Sequence, residues 1–149
     1  MKFLTLNRDM VKNYITDKKH ILIQIYCHDD YAEPTIELWT RLDTLQLQFD
    51  DWNVEQKIKI EARYENSQKM KDMIYFNENH AKKIIKFVEK YLDKIELIVV
   101  QCDAGISRSA GVAAALSKCI NNDDKYFFKN YLPNSLVYST ILKVWNENA

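Results

Sequence analysis

Glycine is almost missing from this chain. Two occur in 149 residues, alongside two prolines and three cysteines. That scarcity excludes flexible glycine-rich linkers and proline-rich low-complexity segments, and no internal repeat is present. Charge of one sign is absent too. Lys+Arg and Asp+Glu are both 21, a net charge of zero, so no bulk field draws the chain to nucleic acid or to an anionic membrane. The densest basic group, Lys57, Lys59, Arg63, Lys69 and Lys71, reads as a solvated face. No apolar run approaches the roughly 20 residues that span a bilayer. The first residues, MKFLTLNRDM, lack the apolar core of a secretory signal. Cys27, Cys102 and Cys119 are odd in number and widely separated. They imply neither a disulfide framework nor a zinc site, and they point to a reduced, cytoplasmic setting.

What is present reads as one globular domain over residues 1–149, with 47% hydrophobic and 28% charged residues. KFLTL (2–6) and HILIQIY (20–26) are predicted strands. Asn7 is placed to cap a helix carrying Met10, Val11, Tyr14 and Ile15. Pro34 opens a predicted short helix with Ile36, Leu38 and Trp39. TLQLQFDD (44–51) alternates, with Leu45, Leu47 and Phe49 on one side and a close on Asp50 and Asp51. Residues 52–77 form a polar insertion with no breaker residue. Beyond it Ala81, Ile84, Ile85, Val88, Tyr91 and Leu92 mark one helical face. IELIVVQ (95–101) is a strand of the buried parallel kind. An alanine-rich helix is expected over about 107–120, then two more near 122–130 and 134–147. Alternating strands and helices predict a three-layer α/β fold: a mostly parallel sheet of four to five strands flanked by helices. Ligands of such sheets bind beyond the carboxyl ends of the strands.

Both glycines, Gly105 and Gly111, fall within VVQCDAGISRSAGVAAAL (99–116). A buried strand feeding a short loop into a helix N-terminus is an anion site, because free backbone N–H groups and the helix dipole converge there. Gly105 lets the loop curl. Arg108 can add two parallel hydrogen bonds to a tetrahedral oxyanion. The field that draws an anion also stabilises negative charge on sulfur, so Cys102 at the entrance is a candidate nucleophile. Cys27 and Cys119 lie on apolar stretches and read as core cysteines. His20, His28 and His80 share no spacing and are assigned no catalytic role.

Cys102-Asp103-Ala104-Gly105-Ile106-Ser107-Arg108-Ser109 resembles the Cys-x5-Arg-Ser/Thr signature of the protein tyrosine phosphatase superfamily, and is most similar to its compact dual-specificity branch. Weaker similarity extends over 43–51, 78–101 and Leu132-Pro133-Asn134. The resemblance implies a phosphatase that forms and hydrolyses a phosphocysteine on phosphoprotein or small phosphomonoester substrates, with no metal or cofactor. It implies Cys102 as nucleophile, and Arg108 with the backbone N–H groups of Asp103, Ala104, Gly105, Ile106 and Ser107 as the phosphate cradle. Ser109 would donate to the departing sulfur. A carboxylic acid is also required; Asp51, four residues past Leu47, is favoured over Asp50. Gln101 departs from the histidine that usually precedes the cysteine. Other readings therefore stand beside the first: a catalytically weak relative that binds phosphorylated partners, an RNA 5′-phosphatase, which neutral charge disfavours, or another reaction such as sulfur transfer on a related loop.

Overall fold

A strand covered on both faces carries apolar side chains at successive positions. β2 (His20–Tyr26) and β4 (Leu97–Gln101) have that character and are buried nearly throughout. In the computed structural model, which describes residues 1–53, 55 and 72–148, they are the inner strands of a four-stranded sheet. Its order is β1-β4-β2-β3, with β1 (Lys2–Leu6) and β3 (Arg41–Gln48) outside. Every pairing is parallel, as the alternation of strands and helices requires. Five helices complete the described chain: α1 (Arg8–Lys12), α2 (Glu78–Tyr91), α3 (Arg108–Asn121), α4 (Lys125–Asn130) and α5 (Ser135–Glu147).

The side chains of the inner strands divide between two cores. Ile21, Ile23, Ile25, Ile98 and Val100 join the apolar faces of α2, α3 and α5 in the larger one. Leu22, Leu97 and Val99 turn to the opposite face, where Leu6 and Val11 cover them. Each such side chain contributes roughly 1.5–3 kcal/mol relative to exposure. The sheet therefore fixes where the strand ends, and the loops beyond them, must point. Helix α3 is buried all round from Arg108 to Ser117, consistent with its alanine-rich sequence and central place.

Three expectations need correction. Asn7 does cap α1, accepting from the Met10 N–H at 2.8 Å, but the helix stops at Lys12. Tyr14 and Ile15 lie beyond it, and Ile15 is exposed. No helix forms after Pro34; residues 30–38 carry no regular element. Their carbonyls are taken by side chains instead: Gln24 donates to the Glu33 carbonyl at 2.9 Å, and Arg41 to that of Ile36 at 3.3 Å. β3 begins at Arg41 and ends at Gln48, so Phe49, Asp50 and Asp51 follow the strand rather than close it. Most of the 52–77 insertion, with its basic cluster, lies outside the described residues.

Candidate active site

The loop after β4 is built around one sulfur. Cys102 is buried, and its Sγ lies 3.1 Å from Ser109 Oγ and accepts the Gly105 N–H at 3.3 Å. The curl that aims this N–H inward needs φ +75° at Gly105, the left-handed region that side chains resist. Close approach requires glycine there as well, since a β-carbon would stand 2.9 Å from both Leu6 C and Asn7 N. The loop thus rests on the end of β1. The Cys102 N–H donates to the Leu6 carbonyl at 3.3 Å, and the Arg8 N–H to that of Asp103 at 3.1 Å.

Arg108, the first residue of α3, is 4% exposed. Its Nη1 donates to the Phe49 carbonyl at 3.0 Å and to Cys27 Sγ at 3.4 Å; its Nη2 pairs with Asp103 at 3.0 Å. Nε is buried and has no hydrogen-bond partner among the described residues. Burial opposes the charge of Arg108, but Cys27, Cys102 and Asp103 outweigh it and hold the pKa above the ordinary value. An unpaired buried donor costs about 1–3 kcal/mol, so an anion accepting from Nε would remove a penalty. Ser107 precedes α3, yet its hydroxyl does not cap the helix. The first-turn amides therefore receive no side-chain cap, which suits anion binding.

The two aspartates after β3 part company. Asp50 is 8% exposed. It accepts from the Ile74 N–H at 2.7 Å, from His28 Nδ1 at 2.9 Å and from the His28 N–H at 3.3 Å. Burial alone would raise its pKa; these donors outweigh burial and lower it. Asp51 is exposed and turns to the loop, where its Oδ1 accepts from Ser107 Oγ at 2.8 Å and from Asn134 Nδ2 at 2.9 Å. The structure therefore gathers Cys102, Gly105, Ser107, Arg108, Ser109 and Asp51 at one place and gives Asp50 to the neighbouring turn. Asp103 joins the outer side of the loop, between Arg108 and Arg8.

No family model matches the chain, and no curated protein matches it in sequence. Among solved structures it is similar to the crystal structure of PTPMT1 in complex with PI(5)P. The TM-score is 0.51 at 13% sequence identity, over 98% of this chain and 91% of that one. At such identity the likeness is one of fold: a four-stranded parallel sheet flanked by helices.

Within that fold, several contributors carried no motif. Cys27, read as a core cysteine, instead sits half-buried against Arg108; burial raises its pKa, and Arg108 only partly offsets that. Cys119 is likewise only half-buried on α3, with burial pushing its thiol up to about 11. Gln101 is buried, and its amide donates to the Cys102 carbonyl at 3.0 Å. It ends a ladder across three strands: Gln46 donates to Gln24 at 3.2 Å, and Gln24 donates to Gln101 at 3.1 Å. The available signal was a glutamine in the middle of the apolar run HILIQIY, since a buried amide needs partners. Arg8 fastens the loop from outside, pairing with Asp30, with Glu33 at 2.7 Å and with Asp103 at 3.4 Å.

Beside the loop runs a cleft of about 590 Å³ whose lining includes Asp51, Ser107, Ile106, Phe128, Tyr131 and Leu132. Among the described residues, no lysine or arginine lines it. Among the described residues, no helix is long and apolar enough to cross a membrane.

Proposed function

We propose that this chain is a cysteine-dependent phosphatase that hydrolyses singly phosphorylated esters, phosphotyrosine-type aryl esters foremost. The observation that carries this reading is the convergence at Cys102. An amide and a hydroxyl approach the sulfur, while the buried Nε of Arg108 has no hydrogen-bond partner among the described residues.

In the first step the Cys102 thiolate attacks phosphorus, an S–P bond forms, and the ester P–O bond breaks. The leaving oxygen takes a proton from Asp51. Arg108 and the loop amides hold the equatorial oxygens, where the transition state spreads its charge. In the second step water attacks phosphorus and gives its proton to Asp51. The S–P bond then breaks, and Ser109 donates a hydrogen bond to the sulfur as it leaves.

Charge narrows the substrate. The loop holds Asp103 and no lysine, and the described residues that line the cleft at Asp51 include Ile106, Phe128, Tyr131 and Leu132 but no lysine or arginine. Among these described residues an inositol head with several phosphates finds no counter-charge, whereas an uncharged aryl leaving group finds apolar contacts. A second reading, phosphate binding without useful turnover, draws on neutral Gln101 beside the cysteine. Hydrolysis of p-nitrophenyl phosphate separates the two. Turnover that vanishes in Cys102→Ser and is inhibited by vanadate supports the phosphatase. Retained phosphopeptide binding with no turnover supports the binding module. Faster turnover of PI(5)P than of aryl esters would overturn the substrate class.

A further inference from the structure

We infer that Ser107 and Asn134 are positioning residues that clamp one oxygen of Asp51 and reserve the other for the transferred proton. This rests on the phosphatase reading with Asp51 as its acid. Both donors converge on Oδ1, at 2.8 and 2.9 Å, and Oδ2 has no hydrogen-bond partner among the described residues. A carbonyl oxygen has two lone pairs and can satisfy both donors while the carboxyl is neutral. A proton on Oδ1 would displace one of them, so the acid's proton belongs on Oδ2.

The orientation of Asn134 is fixed from its other end. Its Oδ1 accepts from the Val137 N–H at 3.1 Å as the N-cap of α5, so its amide nitrogen must face Asp51. Its backbone N–H donates to the Ser107 carbonyl at 3.0 Å, and the same carbonyl accepts the Gly111 N–H at 2.8 Å. Asn134 is 4% exposed. The turn after β3, the loop after β4 and the start of α5 therefore meet at a single carboxylate oxygen. The acid is held relative to the phosphate cradle by contacts that leave its reacting oxygen open.

The test compares phenyl phosphate, whose leaving group needs a proton, with p-nitrophenyl phosphate, which needs one far less. Asn134→Ser keeps a good helix cap and removes the amide donor. Its kcat/KM is expected to fall about tenfold more on phenyl phosphate than on p-nitrophenyl phosphate, a share of the roughly 10²–10⁴ a positioned acid supplies. Asn134→Asp, which faces Asp51 with a second carboxylate, is expected to fall further. In an Asp51→Asn background, Asn134→Ser should add no further discrimination between the two esters, because the pair acts as a unit. Equal slowing of the two esters, or full additivity with Asp51→Asn, overturns the clamp. If the wild-type chain hydrolyses neither ester, the phosphatase reading fails separately. The clamp is then judged by NMR: the Asn134 side-chain amide resonances should move in Asp51→Asn, and unmoved resonances reject it.

Discussion

Gln24 on β2 and Gln101 on β4 face each other in parallel register, and the amide of Gln24 donates to Gln101 Oε1 at 3.1 Å. Gln101 passes the connection to the Cys102 carbonyl, so an uncharged chain of dipoles supports the backbone at Cys102. Gln24→Met keeps much of the shape but strips the donor from Gln101 Oε1 and from the Glu33 carbonyl. Leaving such groups unpaired should cost about 1–3 kcal/mol of stability, read by urea unfolding. Gln24→Met with Gln101→Met should cost less than the sum of the two single changes, because neither partner is then stranded. Simple additivity would show that the ladder carries no coupling.

Gly111 serves close approach. A β-carbon there would lie 3.0 Å from the Asn134 carbonyl oxygen and 3.1 Å from Val137 Cβ. Alanine gains about 1 kcal/mol in helix propensity, against roughly 1–3 kcal/mol for overpacking. Gly111→Ala is therefore expected to lose stability on balance and to push Asn134 away from Asp51. Unfolding should show the first effect and a larger drop on phenyl phosphate than on p-nitrophenyl phosphate the second. A stabilised variant with unchanged kinetics would contradict both.

The turn before Asp51 carries a pH dependence. The hydrogen bond to Asp50 raises the His28 pKa above its ordinary 6.5; slight burial opposes this, and the charges of Asp50, Asp29 and Asp72 assist it. The folded state therefore holds this proton more tightly than the unfolded one. The stabilisation is complete below about 6.5 and is lost as pH rises through the higher folded value. Asp50 behaves oppositely. Its pKa is lowered, so its contribution is present above about 3.8 and lost as pH falls through the folded value. Melting temperatures taken across the His28 titration should decline in the wild type and decline less in His28→Gln. Parallel curves would remove the pair from the account of stability.

Arg108 cannot be replaced by a point charge. Arg108→Lys loses the planar fork that reaches Phe49 and Asp103 together, and it removes the Nε donor. Loss of one such donor to a developing oxyanion costs on the order of 10²–10³ in rate. Hydrolysis of p-nitrophenyl phosphate should fall by that order and vanadate should bind more weakly, while circular dichroism stays native. Undiminished activity would assign phosphate binding elsewhere.

The parts of this fold that were legible are those with one dominant force. The continuous apolar runs of β2 and β4 and the single apolar face of α2 left no alternative packing, and the residues from Cys102 to Ser107 form the expected short connection between β4 and α3. Boundaries set by side-chain competition were not legible. Arg41 and Gln24 claim carbonyls in residues 30–38 that a helix after Pro34 would have used, and no local pattern reveals such distant donors. Cys27 looked apolar by its neighbours in sequence, but its place was decided by Arg108, 81 residues away. Asp50 and Asp51 could be ranked only by the spacing that the family resemblance implies, yet their separation into one carboxylate facing His28 and one facing Ser107 depends on Ile74 and Asn134, which arrive from elsewhere in the chain.

The most direct measurement is acid quenching of the protein during incubation with a radiolabelled aryl phosphate, followed by peptide mapping. The expected result is acid-stable label on the peptide containing Cys102, absent in Cys102→Ser, with hydrolysis lost in the same variant. Hydrolysis that persists in Cys102→Ser, or wild-type turnover that never places label on that peptide, would contradict a phosphoryl transfer through this sulfur.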